Sequence, residues 1–261
     1  MKATEMKYDT QSIIPFRITI FLVACLVVAT MPSHAAVVAI TASQDAHVES
    51  ANPNTNFGSE IEVNIEGHPD TTISGGESSI AFFSFDISSV TETVTAVDFI
   101  VRLSGGRSDR SRQLWAVTDE SLDSWTEGGI TWNNAPGVQS TVGNALNGSQ
   151  AQLVGAWDSR PGVRDDGALT GLNFDVGSGF GVADTDLVNF VNTDTNNILT
   201  FAALIPGNNG VVFQFISKDN TGGAGFEAPT LSLTTVPEPS TYILLAIGSL
   251  ILSVRFFRKQ N

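Results

Sequence analysis

Few side chains in this 261-residue chain are suited to chemistry. Its four tryptophans, Trp115, Trp125, Trp132 and Trp157, are the large rings free for stacking, because both tyrosines, Tyr8 and Tyr242, sit near the ends. A flat aromatic face with polar groups beside it is how a protein takes a sugar ring. Trp157 fits that description best. It stands in Gly155-Ala156-Trp157-Asp158-Ser159-Arg160, among polar and charged partners and outside any clear strand signal. The same position also suits a cover over the core edge. Arg107, Arg110 and Arg112 share a Gly/Ser/Asp loop and form one local basic patch. An anionic polysaccharide needs such a patch; a solvated loop, with Asp109 offsetting the charge, is the other reading. Asp45, with Asp219 or Glu227 from near the last strands, offers carboxylates for a structural calcium site, which takes about six to eight oxygen ligands.

Catalytic signatures are sparse. Cys25 is the only cysteine and lies in the N-terminal apolar stretch, so thiol catalysis and cysteine metal sites are excluded from the rest. His47 and His68 are the histidines outside that end, and neither a G-x-S-x-G elbow nor an H-E-x-x-H helix occurs. Paired carboxylates for glycoside cleavage have no local spacing rule. Asp165-Asp166 reads as a solvated turn. The expectation is a non-catalytic protein, with a polysaccharide lyase or hydrolase as an alternative.

Charge narrows the partners. Three of the 27 acids and six of the 13 Lys/Arg lie in the two ends, so the region between carries 24 acids against seven cations, a formal charge of −17. Such a surface repels phosphate backbones, which argues against nucleic acid. It attracts cations and also serves solubility.

The ends have their own logic. Lys2, Lys7 and Arg17 precede a fourteen-residue apolar stretch, Ile18 to Met31, and Ser33-His34-Ala35 follows. Basic, apolar and small-residue segments in that order form a secretory signal, with cleavage expected between Ala35 and Ala36. Leu22-Val23-Ala24-Cys25 has a lipobox pattern, but Arg17 leaves too little apolar length before it. At the other end, Tyr242 to Val254 is a thirteen-residue apolar run, followed by Phe256 and Phe257 among Arg255, Arg258 and Lys259. Basic residues after an apolar run stay cytoplasmic, which puts the preceding domain outside. Val236-Pro237-Glu238-Pro239-Ser240 stands before that run. Motif, apolar run and basic tail together resemble the PEP-CTERM sorting signal. The resemblance implies recognition by an exosortase, a membrane cysteine protease-transpeptidase that cuts near the motif. The C-terminal helix would then anchor the chain in the inner membrane before processing, and the protein would go on to the cell envelope or extracellular matrix. An ordinary tail-anchored protein is the alternative.

The elements that must position these residues are strands. Val37 to Thr41, Glu60 to Ile65, Ser79 to Asp86, Val94 to Leu103, Leu114 to Thr118, Leu199 to Ile205, Val211 to Ser217 and Thr230 to Thr234 are rich in β-branched and aromatic residues. Turn clusters such as Asn52-Pro53-Asn54 and Asn133-Asn134-Ala135-Pro136-Gly137 separate them. Asp184 to Val191 reads as a short helix. The expected fold is all-β, an antiparallel, jelly-roll-like β-sandwich, flanked by an N-terminal signal helix and a C-terminal transmembrane helix. The expected division is 1–35 signal peptide, 36–235 sandwich and 236–261 sorting signal.

Three segments of the sandwich region carry a second resemblance. They are Gln44-Asp45-Ala46-His47-Val48 with Asn54-Thr55-Asn56-Phe57-Gly58; Phe83 to Ser89; and Trp125 to Gly137, WTEGGITWNNAPG. Together they resemble the DNRLRE domain, a β-sandwich family related to carbohydrate-binding modules found with alginate- and polysaccharide-degrading enzymes. Gly225-Phe226-Glu227-Ala228-Pro229 departs from that family's Ser/Arg-Glu-Ala turn, and the glycine-rich stretch Gly177 to Gly181 is a further departure. Read without the family, Trp125 and Trp132 suit capping one end of the core, with Glu127 and Asn133 holding the turn's amides; sugar stacking is the competing role. The resemblance implies an exported carbohydrate-binding protein of the envelope or exopolysaccharide matrix. A structural adhesion protein without a sugar site is the alternative.

Overall fold

A computed structural model describes residues 35–67, 78–106, 111–139, 142–158, 184–206, 211–222 and 228–236. The expected signal helix and transmembrane helix lie outside these residues, and no described helix is long and apolar enough to cross a membrane. Thirteen strands and one α-helix form the described fold, and the strand pairings are antiparallel.

The smaller sheet holds β1 (Ala36–Thr41), β13 (Thr230–Val236) and β5 (Thr93–Ile100), in the order β1-β13-β5. The larger sheet contains β2 (Gln44–Glu49), β3 (Glu62–Gly67), β4 (Ser79–Asp86), β6 (Leu103–Gly106), β7 (Ser111–Val117), β10 (Ala151–Asp158), β11 (Ile198–Leu204) and β12 (Val211–Ile216). Its order is β10-β7-β11-β4-β3-β12-β6, with β2 pairing β4. β8 (Val138–Gln139) and β9 (Val142–Leu146) make a separate hairpin, and α1 (Asp184–Thr193) precedes β11.

The core between the sheets is aromatic. Phe83 and Phe85 of β4, Phe99 of β5, Phe201 of β11 and Phe215 of β12 are fully buried together with Leu231 and Leu233 of β13. Phe99 meets Phe83 edge-on at 5.4 Å and Phe85 at 5.9 Å between centroids, so the rings interlock across the two sheets. Such pairs add to the area they bury. This core does the work that disulfides do in smaller exported domains. Leu187 and Val191 of α1 belong to the same core.

A second cluster lies on the opposite face of the larger sheet. Ile80 and Phe82 alternate with Ala81 and Phe83 along β4 and point the other way, against Trp125, Ile130 and Trp132. β4 is therefore buried at seven consecutive positions, the mark of a strand covered on both faces. Its cover is the lobe between β7 and β10.

Two expectations change here. The run Val94 to Leu103 is two strands: β5 belongs to the smaller sheet and β6 to the larger, and the chain changes sheet between Ile100 and Leu103. Hydrophobic patterning continues through such a corner, so sequence shows no break. β10 carries no clear strand signal because its register shifts between Leu153 and Gly155, and an irregularity of this kind destroys the two-residue period. Trp157 therefore lies in a strand, across from Arg112 of β7, not in a loop.

Candidate functional site

The three segments that carry the family resemblance meet in space. Trp125 and Trp132 are buried, at 8% and 5% exposure, against Ala46, Val48, Ile80 and Phe82. The Trp125 indole N–H donates to Thr200 Oγ1 at 3.2 Å. Gln44 of β2 grips the same turn twice: its amide donates to Trp125 O at 3.2 Å and its oxygen accepts from Glu127 N at 2.8 Å. The Asn56 amide donates to the carbonyls of Glu127 and Ile130, both at 2.7 Å, while its oxygen accepts from Gly58 N at 3.2 Å. Gly58 is required by this approach, since a Cβ there would stand 1.9 Å from the Glu127 carbonyl oxygen. Asn133 donates to Asn54 Oδ1 at 2.8 Å, and Asn134 Oδ1 accepts from Thr131 N at 2.6 Å. Asn56, Gln44 and Asn134 thus hold the turn in place of Glu127 and Asn133. The tryptophans act as its anchor in the sheet, which removes Trp125 and Trp132 as sugar platforms.

Asp45, the second residue of the first segment, is 1% exposed. Its two oxygens accept from Ser217 Oγ at 2.7 Å and Lys218 N at 2.6 Å. The Lys218 ammonium sits 2.9 Å from Glu127 Oε2 and 2.8 Å from Asp219 Oδ1. Burial pushes the carboxyls of Asp45 and Glu127 above the usual range, and Lys218 counters it. Burial opposes the lysine's own charge, but its bonds to Asp219 and Glu127 outweigh that and raise its pKa. This donor set does not fit the calcium site expected from Asp45 and Asp219. Asp45 is already committed to a hydroxyl and an amide, and a fixed ammonium stands beside Asp219 where a second cation would be repelled. Glu227, the third expected ligand, lies outside the described residues.

The expected basic patch also changes. Arg107 and Arg110 lie outside the described residues. Arg112 is not in a surface loop: it belongs to β7, is 0% exposed, and holds its guanidinium 3.5 Å above the Phe213 ring. A cation in that position is attracted to the ring face and is closed to a ligand.

Trp115, which sequence reasoning passed over, keeps exposure that Trp125 and Trp132 lack, while the side chain of Trp157, the expected platform, lies outside the described residues. Trp115 lies in the middle of β7, and alternation puts Leu114 and Ala116 into the inter-sheet core and Trp115 on the outer face with Gln113. Leu153 of β10 and Ala202 of β11 flank it directly. Trp115 is half-buried, packed at the margin of the second cluster. Its indole N–H donates to Gln113 Oε1 at 3.0 Å, which fixes the ring beside a primary amide. Among the tryptophans whose side chains are described, it alone keeps appreciable exposure. The signal was available: Gln113-Leu114-Trp115 alternates as a strand must. Nothing in one strand, however, says which face a neighbouring lobe will cover.

Three other acids, Glu120, Asp123 and Asp194, are tied to the segment before β11. Glu120 accepts from Thr195 N at 2.9 Å and Thr195 Oγ1 at 2.5 Å, and Asp123 accepts from Asn196 Nδ2 at 3.0 Å. Asp194 accepts at 2.6 Å from the amide of Asn197, the non-glycine residue with positive φ (63°) among the described residues. Burial, together with the charges of Glu120 and Asp123, lifts the Asp194 carboxyl to about 6. His47 stacks on Phe57 at 4.7 Å, and burial holds it below its ordinary pKa despite Glu49 beside it. These contacts tie loops together; among the described residues no cluster of three or more His, Cys, Asp or Glu is arranged to hold a metal.

No curated protein matches the chain. Residues 235–259 match the PEP-CTERM protein-sorting motif, which marks an exported protein that is membrane-anchored before an exosortase processes it. Residues 36–166, which include β1 to β10, the docked tryptophan turn and the Trp115 face, match a second family. By that match over half its length, the chain belongs to carbohydrate-binding module family 96.

Proposed function

We propose that the protein is a non-catalytic, exosortase-sorted, carbohydrate-binding protein of the cell envelope or exopolysaccharide matrix, and that Trp115 with Gln113 forms its sugar platform. The observation that carries this reading is the Trp115 ring, partly exposed at the margin of the second cluster and pinned there by Gln113. A pinned ring stacks on a pyranose without losing further freedom, and the amide offers hydrogen bonds at its edge. The described surface favours uncharged sugar rings. Arg112 is buried, and Lys218 already carries two carboxylate contacts. Anionic chains such as alginate would depend on the other cations, Arg102, Arg107, Arg110, Arg160 and Arg164, instead.

Binding of the purified protein to a panel of neutral and uronate polysaccharides, beside Trp115→Ala and Gln113→Ala, tests the reading. Retention on a neutral glycan that Trp115→Ala abolishes is the expected result. Equal retention of wild type and Trp115→Ala would remove the platform, and no retention on any glycan would leave a structural adhesion protein. Release of reducing ends or unsaturated uronates by the protein would replace the non-catalytic reading with a hydrolase or lyase.

A further inference from the structure

The start of the sorting signal is built into the sandwich. β13 is the central strand of the smaller sheet, with β1 on one side and β5 on the other. Its ladder with β1 runs from Thr230 opposite Thr41 to Thr235 opposite Ala36, and the strand ends at Val236. The match to the sorting motif begins at residue 235. No spacer separates domain from motif, and the first residues of the signal are sheet backbone. Leu231, Leu233 and Thr235 are buried, so this end of the strand is packed as well as paired. The expected N-terminal cleavage leaves Ala36 as the first residue, the ladder partner of Thr235.

A protease commonly takes its substrate as an extended chain and pairs with that chain's main-chain groups. A strand flanked on both edges has none to give. β5 covers one edge of β13, and β1 covers the other. β1 itself is little buried, with Val37 68% exposed, so it contributes pairing more than core.

We propose that β1 is a guard strand on the sorting signal: by pairing with residues 230–235 it confines exosortase cleavage to bonds C-terminal to Val236, and it lets the enzyme act on the folded domain. Cleavage breaks one peptide C–N bond. The amine departs with the anchor, and the acyl carbon of the domain passes to water or to an acceptor amine. The inference rests on the sorting motif and is independent of the sugar platform.

The test is the mass of the mature C-terminus after expression of the full chain in a host that carries an exosortase. Three forms are compared: wild type, Ala36→Cys/Thr235→Cys, and Val38→Pro. Directly opposed residues of an antiparallel pair are about 4.5–5.5 Å apart at Cα, within disulfide range, so the double cysteine locks the ladder. No other cysteine lies in residues 36–261 to compete. Wild type and the locked form are expected to share one terminus at or beyond Val236 and the same extent of processing. Val38→Pro breaks β1 opposite Leu233 and is expected to add cleavage within residues 230–236. A wild-type terminus upstream of Val236, or retention of uncut precursor by the locked form, overturns the proposal, because either result means that β13 must unpair. Should Val38→Pro fail to fold, the locked form alone decides. Unchanged processing in a host without the exosortase would overturn the sorting reading itself and the proposal with it; glycan retention by the processed protein tests neither.

Discussion

Asn56→Ala probes whether the tryptophan turn is architecture. The Asn56 side chain makes three hydrogen bonds, two to carbonyls 71 and 74 residues away and one to Gly58 N. Each net bond is worth about 0.5–1.5 kcal/mol, and a carbonyl left without a partner in a partly buried place costs about 1–3 kcal/mol. Ile130 itself is 1% exposed, so water reaches its carbonyl poorly. Partial relaxation of the loop offsets some of this loss, and the expected destabilisation is about 2–4 kcal/mol. For a domain of this size each kcal/mol moves Tm by about 2–4 °C, so the melting temperature falls by roughly 5–15 °C. Asn56→Asp should fall further, since it sets a carboxylate against two carbonyl oxygens. Thermal unfolding followed by far-UV circular dichroism is the assay. Below the transition the variant should still bind glycan, because the bonds of Asn56 go to Glu127, Ile130 and Gly58, whereas Trp115 is held by Gln113. A Tm within about 2 °C of wild type would refute the claim that Asn56 clamps the lobe to the sheet.

Three further perturbations separate structure from binding. Trp132→Ala, at a 5% exposed site, should cost about 3–5 kcal/mol, whereas Trp115→Ala should abolish glycan retention at a much smaller loss of Tm; the reverse pattern would exchange their roles. The Asp194 carboxyl, lifted to about 6 from 3.8, binds protons more readily folded than unfolded, so its contribution to stability rises as pH falls from about 6 toward 4. His47, lowered by burial, acts in the opposite direction as it protonates, so the comparison is with Asp194→Asn, which should lose the gain; a carbon NMR titration placing Asp194 near 4 would refute this. Lys218→Met leaves Glu127 and Asp219 facing each other beside Asp45, so it should lower Tm at pH 7 and recover part of the loss as pH falls and Glu127, whose carboxyl burial already holds above its usual range, takes up a proton; a pH-independent deficit would assign the loss to packing.

Much of the strand pattern was legible because burial imposes a period. Ser79 to Asp86 stands as read, and α1 starts at the Asp184 expected of it. The misreadings share one cause, which is that tertiary partners do not appear in local spacing. Arg112 looked like part of a loop patch, but the ring beneath it, Phe213, is contributed by a strand a hundred residues on. Asp45 looked like a metal ligand because nothing near it in sequence shows Ser217 and Lys218 arriving. Glu127 looked like a turn cap, and its partner is also Lys218.

What the sequence by itself determined was composition, periodicity and address. The absence of cysteine from residues 36–261, the acidic excess, the alternating strands and the sorting motif are local properties, and local physics reads them. Tertiary structure decided which of the three tryptophans with described side chains keeps some exposure. Trp125, Trp132 and Trp115 are chemically alike and stand within eighteen residues of one another. The lobe carrying the first two folds over β4 and buries them, while β7 keeps Trp115 at the margin of that cover. Exposure belongs to the assembled sheet and its cover, so it is fixed only when strands distant in sequence have paired.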